Sequence, residues 1–174
     1  MVALIFTAYG TWQYVEGQKP PAIPQATPLQ TPYEFTIKDI NGTQFSLSNH
    51  KGKVIVIHIM AVGCHGQINR INDNQLTQLK TVCNSFCGKE QVTLITVAVA
   101  TCPSSDLQQI RATYRVTWLF GNDYDDRKMD IAQKYATQGD GTIVIIDKTY
   151  HISETYGSTT ASTLSAKINQ LLGA

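Results

Sequence analysis

The feature that most restricts the fold is an apolar run from Val54 to Val62 that leads into a glycine-flanked cysteine; the stretch reads VIVIHIMAVGCHGQ. Runs this rich in β-branched residues are typical of strands that are buried on both faces. We therefore predict a central strand, followed directly by a helix that begins at the turn around Cys64. Open α/β sheets place their reactive groups at the carboxyl ends of such strands. The amino terminus of a following helix would also favour a thiolate, so Cys64 is the leading candidate for a reactive atom.

Composition and charge narrow the class of protein. The chain has 174 residues, 43% of them hydrophobic, which fits one domain with a full core. Its 14 basic and 13 acidic side chains give a net charge of +1, without a basic cluster. Nothing therefore favours nucleic acid or an anionic membrane surface as a partner. The four cysteines fit either a compartment that permits disulfides or a reduced cytosolic protein.

The amino-terminal part of the chain differs from the rest. Residues 1–17 are largely apolar and end in aromatic residues, and five of the six prolines lie between Lys19 and Pro32. We predict an apolar segment that anchors the protein in a membrane (1–17), a stiff Pro-rich linker (18–33) and a folded domain (34–174). The alternative is that residues 1–17 form a first strand or helix that packs on the domain.

The remaining patterns alternate between strand and helix. Asn41-Gly42 between two alternating segments predicts a β-hairpin, and a second buried strand from Gln91 to Ala100 is expected to run parallel to the first. The other predicted elements are helices ending near Cys83 and Tyr114, a short strand VTWLF, a helix near residue 130, an antiparallel pair TIVIID and YHISETY, and a closing helix from about Thr160 to Leu172. This order predicts an α/β fold, a three-layer α/β/α sandwich with a central mixed sheet and an N-terminal β-hairpin.

Two stretches carry a family resemblance. The segment from Phe35 to Cys64, with Leu47-Ser48 and Gly52-Lys53 before the central strand, and the segment from Tyr135 to Asp147 resemble the TlpA-like branch of the thioredoxin fold. This branch shades into the peroxiredoxins, or redoxins. The resemblance implies a thioredoxin-like sandwich, an oxidoreductase that exchanges disulfides with protein thiols without a cofactor, and an extracytoplasmic protein, either membrane-anchored or secreted.

The active-site motif departs from that family. Where the family has Trp-Cys-x-x-Cys, this chain reads GCHGQ, so that Gln67 occupies the position of the second cysteine. Gly141 falls at the position of the family's cis-proline. Ile57 and Ala61 occupy the positions where peroxiredoxins need a proline and a threonine or serine. Peroxide chemistry of the peroxiredoxin kind is therefore not expected.

Two histidines could assist Cys64. His65 is expected in the first helical turn, where its imidazolium would favour the thiolate; alternatively it is an exposed residue without a role. His58 lies six residues before Cys64, at the position that resembles the buried proton-relaying acid of thioredoxins. It could act as a general base at neutral pH, or it could be a structural histidine.

The other cysteines offer partners. A lone thiol needs a second attacker to resolve a mixed disulfide, and within the chain the best candidate is Cys102, because neighbouring parallel strands end at the same edge of the sheet. An external thiol is the alternative. Cys83 and Cys87 lie four residues apart at a helix end, where they form either a small-loop disulfide, if the last turn frays, or two buried thiols.

These observations leave two hypotheses from different classes. The first is a thioredoxin-like protein that performs monothiol disulfide exchange through Cys64. The second is a redox-inactive thioredoxin-fold module that binds a protein partner in the former substrate groove. A metal site like that of the copper-delivering Sco proteins is not predicted, because the histidine it requires would lie near Gly141, whereas His151 lies on the outer hairpin.

Overall fold

The structure is a computed structural model that describes residues 30–101, 103–124 and 129–173. The elements in chain order are β1 (Thr36–Lys38), β2 (Gln44–Ser46), a 3-10 turn (Leu47–His50), β3 (Val54–Val62), a second 3-10 turn (Cys64–Gly66), α1 (Arg70–Phe86), β4 (Val92–Ala100), α2 (Ser104–Tyr114), β5 (Leu119–Asn122), α3 (Asp130–Tyr135), β6 (Ile143–Ile146), β7 (Ile152–Tyr156) and α4 (Ala161–Leu172). The predicted anchor, most of the predicted linker and Cys102 lie outside the described residues.

Five of the strands form one mixed sheet in the order β5-β4-β3-β6-β7. Strands β3, β4 and β5 run parallel, whereas β6 and β7 join antiparallel. Strands β1 and β2 form a separate antiparallel pair, in which a loop around Asn41-Gly42 connects Lys38 to Gln44. The predicted fold class, a mixed sheet between helices with an N-terminal hairpin, is confirmed.

Strand β3 is apolar throughout because both of its faces are covered. One face carries Val56 and Met60 and packs with apolar residues of α1, α2 and α4. The other face carries Ile55, Ile57 and Ile59 and packs with the hairpin and α3. Side chains alternate between the faces of a strand, so His58 lies on the α1 side. Both of the cores meet at the strand that ends beside Cys64.

Contacts with the domain begin within the predicted linker. The carbonyl of Gln30 accepts a hydrogen bond from the Ile152 backbone at 2.8 Å, and the Tyr135 hydroxyl donates to the Tyr33 carbonyl at 2.6 Å. Residues 30–33 therefore pack against the sheet and α3. Among the described helices, none combines the length and the apolar character that a membrane crossing requires.

The predicted connection from β3 to a helix was wrong in one respect. Helix α1 begins at Arg70, six residues after Cys64, and it ends at Phe86 rather than near Cys83. Asn69 caps its amino terminus by accepting a hydrogen bond from the Asn72 backbone at 2.9 Å. Cys64 therefore does not lie at the amino terminus of α1, and the expected stabilisation of a thiolate by that helix does not apply.

Candidate redox site at the end of the central strand

Cys64 lies in a tight turn, Gly63–Gln67, which we call the Cys64 loop. The Gly63 N–H donates to the Gln67 carbonyl at 2.8 Å, which closes the loop. His65 has φ 63° and Gly66 has φ 68°, so two successive residues adopt the left-handed conformation that a helix excludes. Gln67 therefore closes a loop and does not occupy the helical position of a second active-site cysteine. The prediction that His65 lies in a helical first turn was also wrong.

Cys64 itself is exposed, and it takes part in a disulfide bond. An exposed sulfur at the end of a central strand can be reached by an external thiol or disulfide. Cys102, the partner that the sequence favoured, lies outside the described residues. The described residues on either side of it, Thr101 and Pro103, connect β4 to α2.

Helix α2 packs against one side of the Cys64 loop. The His65 backbone N–H donates to Asp106 Oδ2 at 2.7 Å. A Cβ atom placed on Gly66 would lie 3.7 Å from the side chain of Gln109, which shows how closely the loop approaches α2. The start of α2 is therefore held within hydrogen-bonding distance of the residue that follows Cys64.

Asp140 holds the other side, and we call its contacts the Asp140 clamp. Its Oδ1 accepts from the Ala61 backbone at 2.7 Å, and both of its oxygens accept from the Asn72 side-chain amide at 2.9 and 3.0 Å. The Asn69 side-chain amide donates to Oδ2 as well. One carboxylate thus ties the end of β3 to the first turn of α1, on both sides of the Cys64 loop. Sequence reasoning missed the clamp; only the N-cap at Asn69 had a local signal.

Two carboxylates flank the Cys64 loop. Asp106 accepts from the His65 N–H on one side, and Asp140 accepts from the Ala61 N–H on the other. Within the part of the chain that the structure describes, neither carboxylate has a salt-bridge partner.

His58 is fully buried, at 0% exposure, between β3 and α1. Its Nδ1 lies 3.4 Å from the Thr96 hydroxyl oxygen, which accepts from Trp118 Nε1 at 2.9 Å. Burial lowers the pKa of His58 to about 4, although the Asp140 charge and the Asn72 amide partly oppose this shift. A histidine with that pKa is neutral at pH 7 and is a weak base. This argues against the predicted role as a general base at neutral pH.

Three buried side chains, those of His58, Asn72 and Gln75, carry unsatisfied polar atoms. Among the described residues, His58 Nε2, Asn72 Oδ1 and both side-chain polar atoms of Gln75 have no hydrogen-bond partner. Asn72 belongs to the Asp140 clamp, so this buried polar cluster is continuous with the residues that hold the Cys64 loop. Buried polar atoms without hydrogen bonds lower the free energy of unfolding, so this cluster is a part of the core where substitutions are expected to change stability.

Gly141 lies beside the clamp in a conformation that a proline could not adopt. Its φ is 81°, and its N–H donates to the Ile59 carbonyl at 3.0 Å. A Cβ atom on Gly141 would lie 2.5 Å from Ile71 Cγ2. The backbone at Gly141 is therefore hydrogen-bonded to β3 and covered by Ile71.

A groove of about 540 Å³ lies along the exposed side of α1 next to Ile71. Ile71 is 45% exposed, an unusual value for a large apolar side chain. The groove is lined by Arg70, Ile71, Asp73, Asn74, Thr77 and Ser158. The groove is polar overall, and its lining residue Ile71 also covers Gly141.

Cys83 and Cys87 form a disulfide with a Cα–Cα distance of 4.6 Å. Helix α1 ends at Phe86, and the Cys87 N–H donates to the Cys83 carbonyl at 2.8 Å. Gly88, with φ 90°, turns the chain away immediately afterwards. Of the two alternatives that the sequence left open, the structure thus has the small-loop disulfide. Within the described residues, no group of three or more His, Cys, Asp or Glu side chains could hold a metal ion.

Two curated proteins show sequence similarity to this chain, and no family model matches it. Glutathione peroxidase 1 of Caenorhabditis elegans is 36% identical over a stretch covering 36% of this chain and 44% of that protein. A protein of Solanum lycopersicum described as a probable phospholipid hydroperoxide glutathione peroxidase is 27% identical over 86% of this chain and 97% of that protein. The match to the nematode protein thus spans less than half of that protein's length.

Solved structures establish the fold class. The thioredoxin domain of a thiol-disulfide oxidoreductase from Bacteroides vulgatus superposes with a TM-score of 0.65 at 19% identity, over 83% of this chain and 98% of that one. A secreted disulfide oxidoreductase of Mycobacterium tuberculosis gives 0.64 at 16% identity, over 79% and 96%. The chain therefore has the thioredoxin fold.

Proposed function

We propose that this protein is a thiol–disulfide exchange protein in which Cys64 and Cys102 alternate between a disulfide and two thiols. The observation that carries the proposal is an exposed, disulfide-bonded Cys64 at the carboxyl end of the central strand. Cys83 and Cys87 are bonded to each other. Of the four cysteines in the sequence, only Cys102 then remains as an intramolecular partner for Cys64.

The strand register supports this pairing. In the parallel β3–β4 ladder, Val62 lies opposite Ala100. Both strands therefore end at the same edge of the sheet, and Cys64 and Cys102 each follow the end of their strand by two residues in the sequence. Neighbouring strands lie about 4.8 Å apart, and disulfides need Cα distances of about 4.4–6.8 Å. The hydrogen bond between the His65 backbone and Asp106 holds the two connections together in the same way.

In the proposed reaction, the Cys64 thiolate attacks one sulfur of a substrate disulfide and forms a mixed disulfide, while the other substrate sulfur leaves as a thiolate and takes up a proton. The Cys102 thiolate then attacks the Cys64 sulfur and releases the second substrate sulfur. The substrate is reduced by two electrons, and the Cys64–Cys102 pair is oxidised by two. His65, exposed and adjacent to Cys64, is our candidate proton carrier.

Of the two resolving groups considered in the sequence analysis, this mechanism uses Cys102 rather than an external thiol. It differs from a Cys-x-x-Cys mechanism because the two cysteines are 38 residues apart in the sequence. We propose protein disulfides and thiols as the substrates, as for the oxidoreductases whose fold the chain shares. We also propose an extracytoplasmic location. A disulfide outside the active site, at Cys83–Cys87, and the fold shared with a secreted oxidoreductase support it. Anchoring through residues 1–17 remains part of this proposal.

The proposal is tested by peptide mapping without reduction, combined with an insulin-reduction assay. We expect a Cys64–Cys102 linked peptide in the oxidised protein, and turnover that Cys64→Ser abolishes while the thermal unfolding of the fully reduced protein stays unchanged. A free Cys102 thiol in the oxidised protein would contradict the pairing. Absence of turnover from a folded, fully reduced wild-type protein would favour the redox-inactive binding module.

A second candidate function is reduction of hydroperoxides by the same pair. The names of both curated relatives favour it, since each is described as a glutathione peroxidase. Cys64 would take the hydroperoxide's terminal oxygen as a sulfenate and release an alcohol, and Cys102 would then form the disulfide with loss of water. Mixing the reduced protein with a lipid hydroperoxide and counting the remaining thiols distinguishes the two, because exchange alone leaves both thiols intact.

A further inference from the structure

We propose that the Cys83–Cys87 disulfide is a second, independent exchange site, which reacts with small thiols that carry a carboxylate. This site lies at the opposite end of α1 from the Cys64 loop. Helix α1 has 17 residues, which corresponds to a length of about 25 Å. A reaction at one disulfide therefore does not require the other, and this proposal is independent of the function proposed for Cys64.

The two cysteines of this disulfide differ in accessibility. Cys87, the residue that caps α1, is exposed, whereas Cys83 is only 5% exposed and belongs to the hydrophobic core. An attacking thiolate must approach a disulfide sulfur directly, so access selects which sulfur is attacked. The geometry thus assigns Cys87 as the residue that forms a mixed disulfide and Cys83 as the residue that leaves.

Cys83 has a hydrogen-bond donor in place. The Thr117 hydroxyl lies 3.5 Å from Cys83 Sγ. A disulfide sulfur carries no hydrogen, so in the oxidised protein Thr117 is the donor. The same hydrogen bond becomes stronger when Cys83 leaves as a thiolate, because charged acceptors form stronger hydrogen bonds. Thr117 therefore stabilises the group that leaves during the attack on Cys87.

A pocket of about 330 Å³ adjoins the exposed sulfur. Its lining includes Cys87, Thr117 and Arg111. Arg111 Nε donates to the Val116 carbonyl at 3.2 Å, which holds the guanidinium at the pocket, and its terminal nitrogens have no hydrogen-bond partner among the described residues. A guanidinium held in this way matches a carboxylate. The pocket's own carboxylate, Asp39, already accepts bonds from backbone N–H groups of its turn.

The reaction balances without a further oxidant. The small thiolate attacks Cys87 Sγ, a new sulfur–sulfur bond forms, the Cys83–Cys87 bond breaks, and Cys83 takes a proton from water. A second molecule of the small thiol then attacks the sulfur of the first, which gives a small-molecule disulfide and a free Cys87 thiol. Two small thiols are oxidised, and the protein disulfide is reduced.

The test uses reduced glutathione as the carboxylate-bearing thiol and cysteamine, which has no carboxylate, as its control. The oxidised full chain carrying Cys64→Ser and Cys102→Ser is incubated with each thiol, quenched with acid, and mapped by mass spectrometry. We expect a mixed disulfide on Cys87 and none on Cys83. Arg111→Gln should slow the reaction with glutathione about two- to fivefold, the effect of one exposed charge contact, and leave the cysteamine rate unchanged.

Several results would overturn the proposal. The first is an adduct on Cys83. The second is a Cys83–Cys87 disulfide that stays intact in millimolar thiol, under conditions that reduce the Cys64 bond of the wild-type protein. The third is an equal effect of Arg111→Gln on the rates with glutathione and with cysteamine. The mapping is repeated on the wild-type chain, where the Cys64 and Cys87 peptides are separate species. The conclusion therefore does not depend on the folding of the serine variant.

Discussion

At the scale of single residues, the surroundings of Cys64 are set by side chains that lie far from it in sequence. Asp106 is 41 residues from His65, whose N–H it accepts, and Asp140 is 79 residues from Ala61. Cys64 could be picked out from the sequence because strand, glycine and cysteine are adjacent. Its two carboxylate neighbours, Asp106 and Asp140, could not be identified from the sequence. Nothing in the local sequence at either aspartate indicates which strand end it will contact.

His58 leads to a prediction about pH and stability. Its pKa is about 4 in the folded protein, against 6.5 when unperturbed. Between these two pH values the unfolded chain therefore binds more protons at His58 than the folded chain does. The contribution of His58 to the free energy of unfolding is complete above pH 6.5, falls as the pH decreases towards 4, and levels off below it. We expect a loss of about 3 kcal/mol from this residue.

Urea unfolding between pH 7 and pH 4 measures this contribution. His58→Gln should make the free energy of unfolding less dependent on pH over that range. It should also lower the free energy of unfolding at pH 7, because the site is closely packed. His65→Gln, an exposed histidine in the same region, is the matched control and should retain the wild-type slope. An unchanged slope in the His58 variant would show that another group is responsible.

At the scale of elements, strand and helix identities follow from the sequence, whereas the connection at the site does not. The spacing of Ile68 and Ile71 is compatible with a helix starting near Cys64, yet α1 starts at Arg70. The reason is local: His65 and Gly66 both have positive φ, and Asn69 caps the helix. A histidine in that conformation is not indicated by residue type, because most non-glycine residues avoid it.

The Gly141 loop provides a prediction at this scale. Gly141→Ala should lower the free energy of unfolding by about 2 kcal/mol, from the positive φ and from contact with Ile71. In an Ile71→Ala background the same change should cost about 1 kcal/mol, because only the backbone term remains. Gly139→Ala is the matched control: its φ is 84° with nothing within 4 Å of the added Cβ, so it should show no coupling to Ile71.

Chemical denaturation of the wild-type protein, the two single variants and the double variant gives the coupling directly. Equal costs of Gly141→Ala in both backgrounds would mean that Ile71 does not cover this position. Gly141→Pro should be more destabilising than Gly141→Ala, since it also removes the N–H that donates to Ile59.

At the scale of the whole molecule, the fold was predictable because its central strands carry unambiguous patterns. Val54–Val62 and Val92–Ala100 are apolar on both faces, which requires helices or strands on each side of the sheet. The site was less predictable. The strand order allowed Cys102 to be named as a candidate partner of Cys64, but the shape of the Cys64 loop and its contacts with Asp106 and Asp140 depend on residues from distant parts of the chain.

The central proposal is that Cys64 exchanges disulfides with a substrate and that Cys102 resolves the mixed disulfide. It is tested most directly by trapping the intermediate with reduced Cys102→Ser protein and insulin. We predict a covalent complex that dithiothreitol releases and that peptide mapping places on Cys64, whereas Cys64→Ser protein gives none and wild-type protein accumulates little. A folded Cys102→Ser variant that forms no complex through Cys64 would contradict the account.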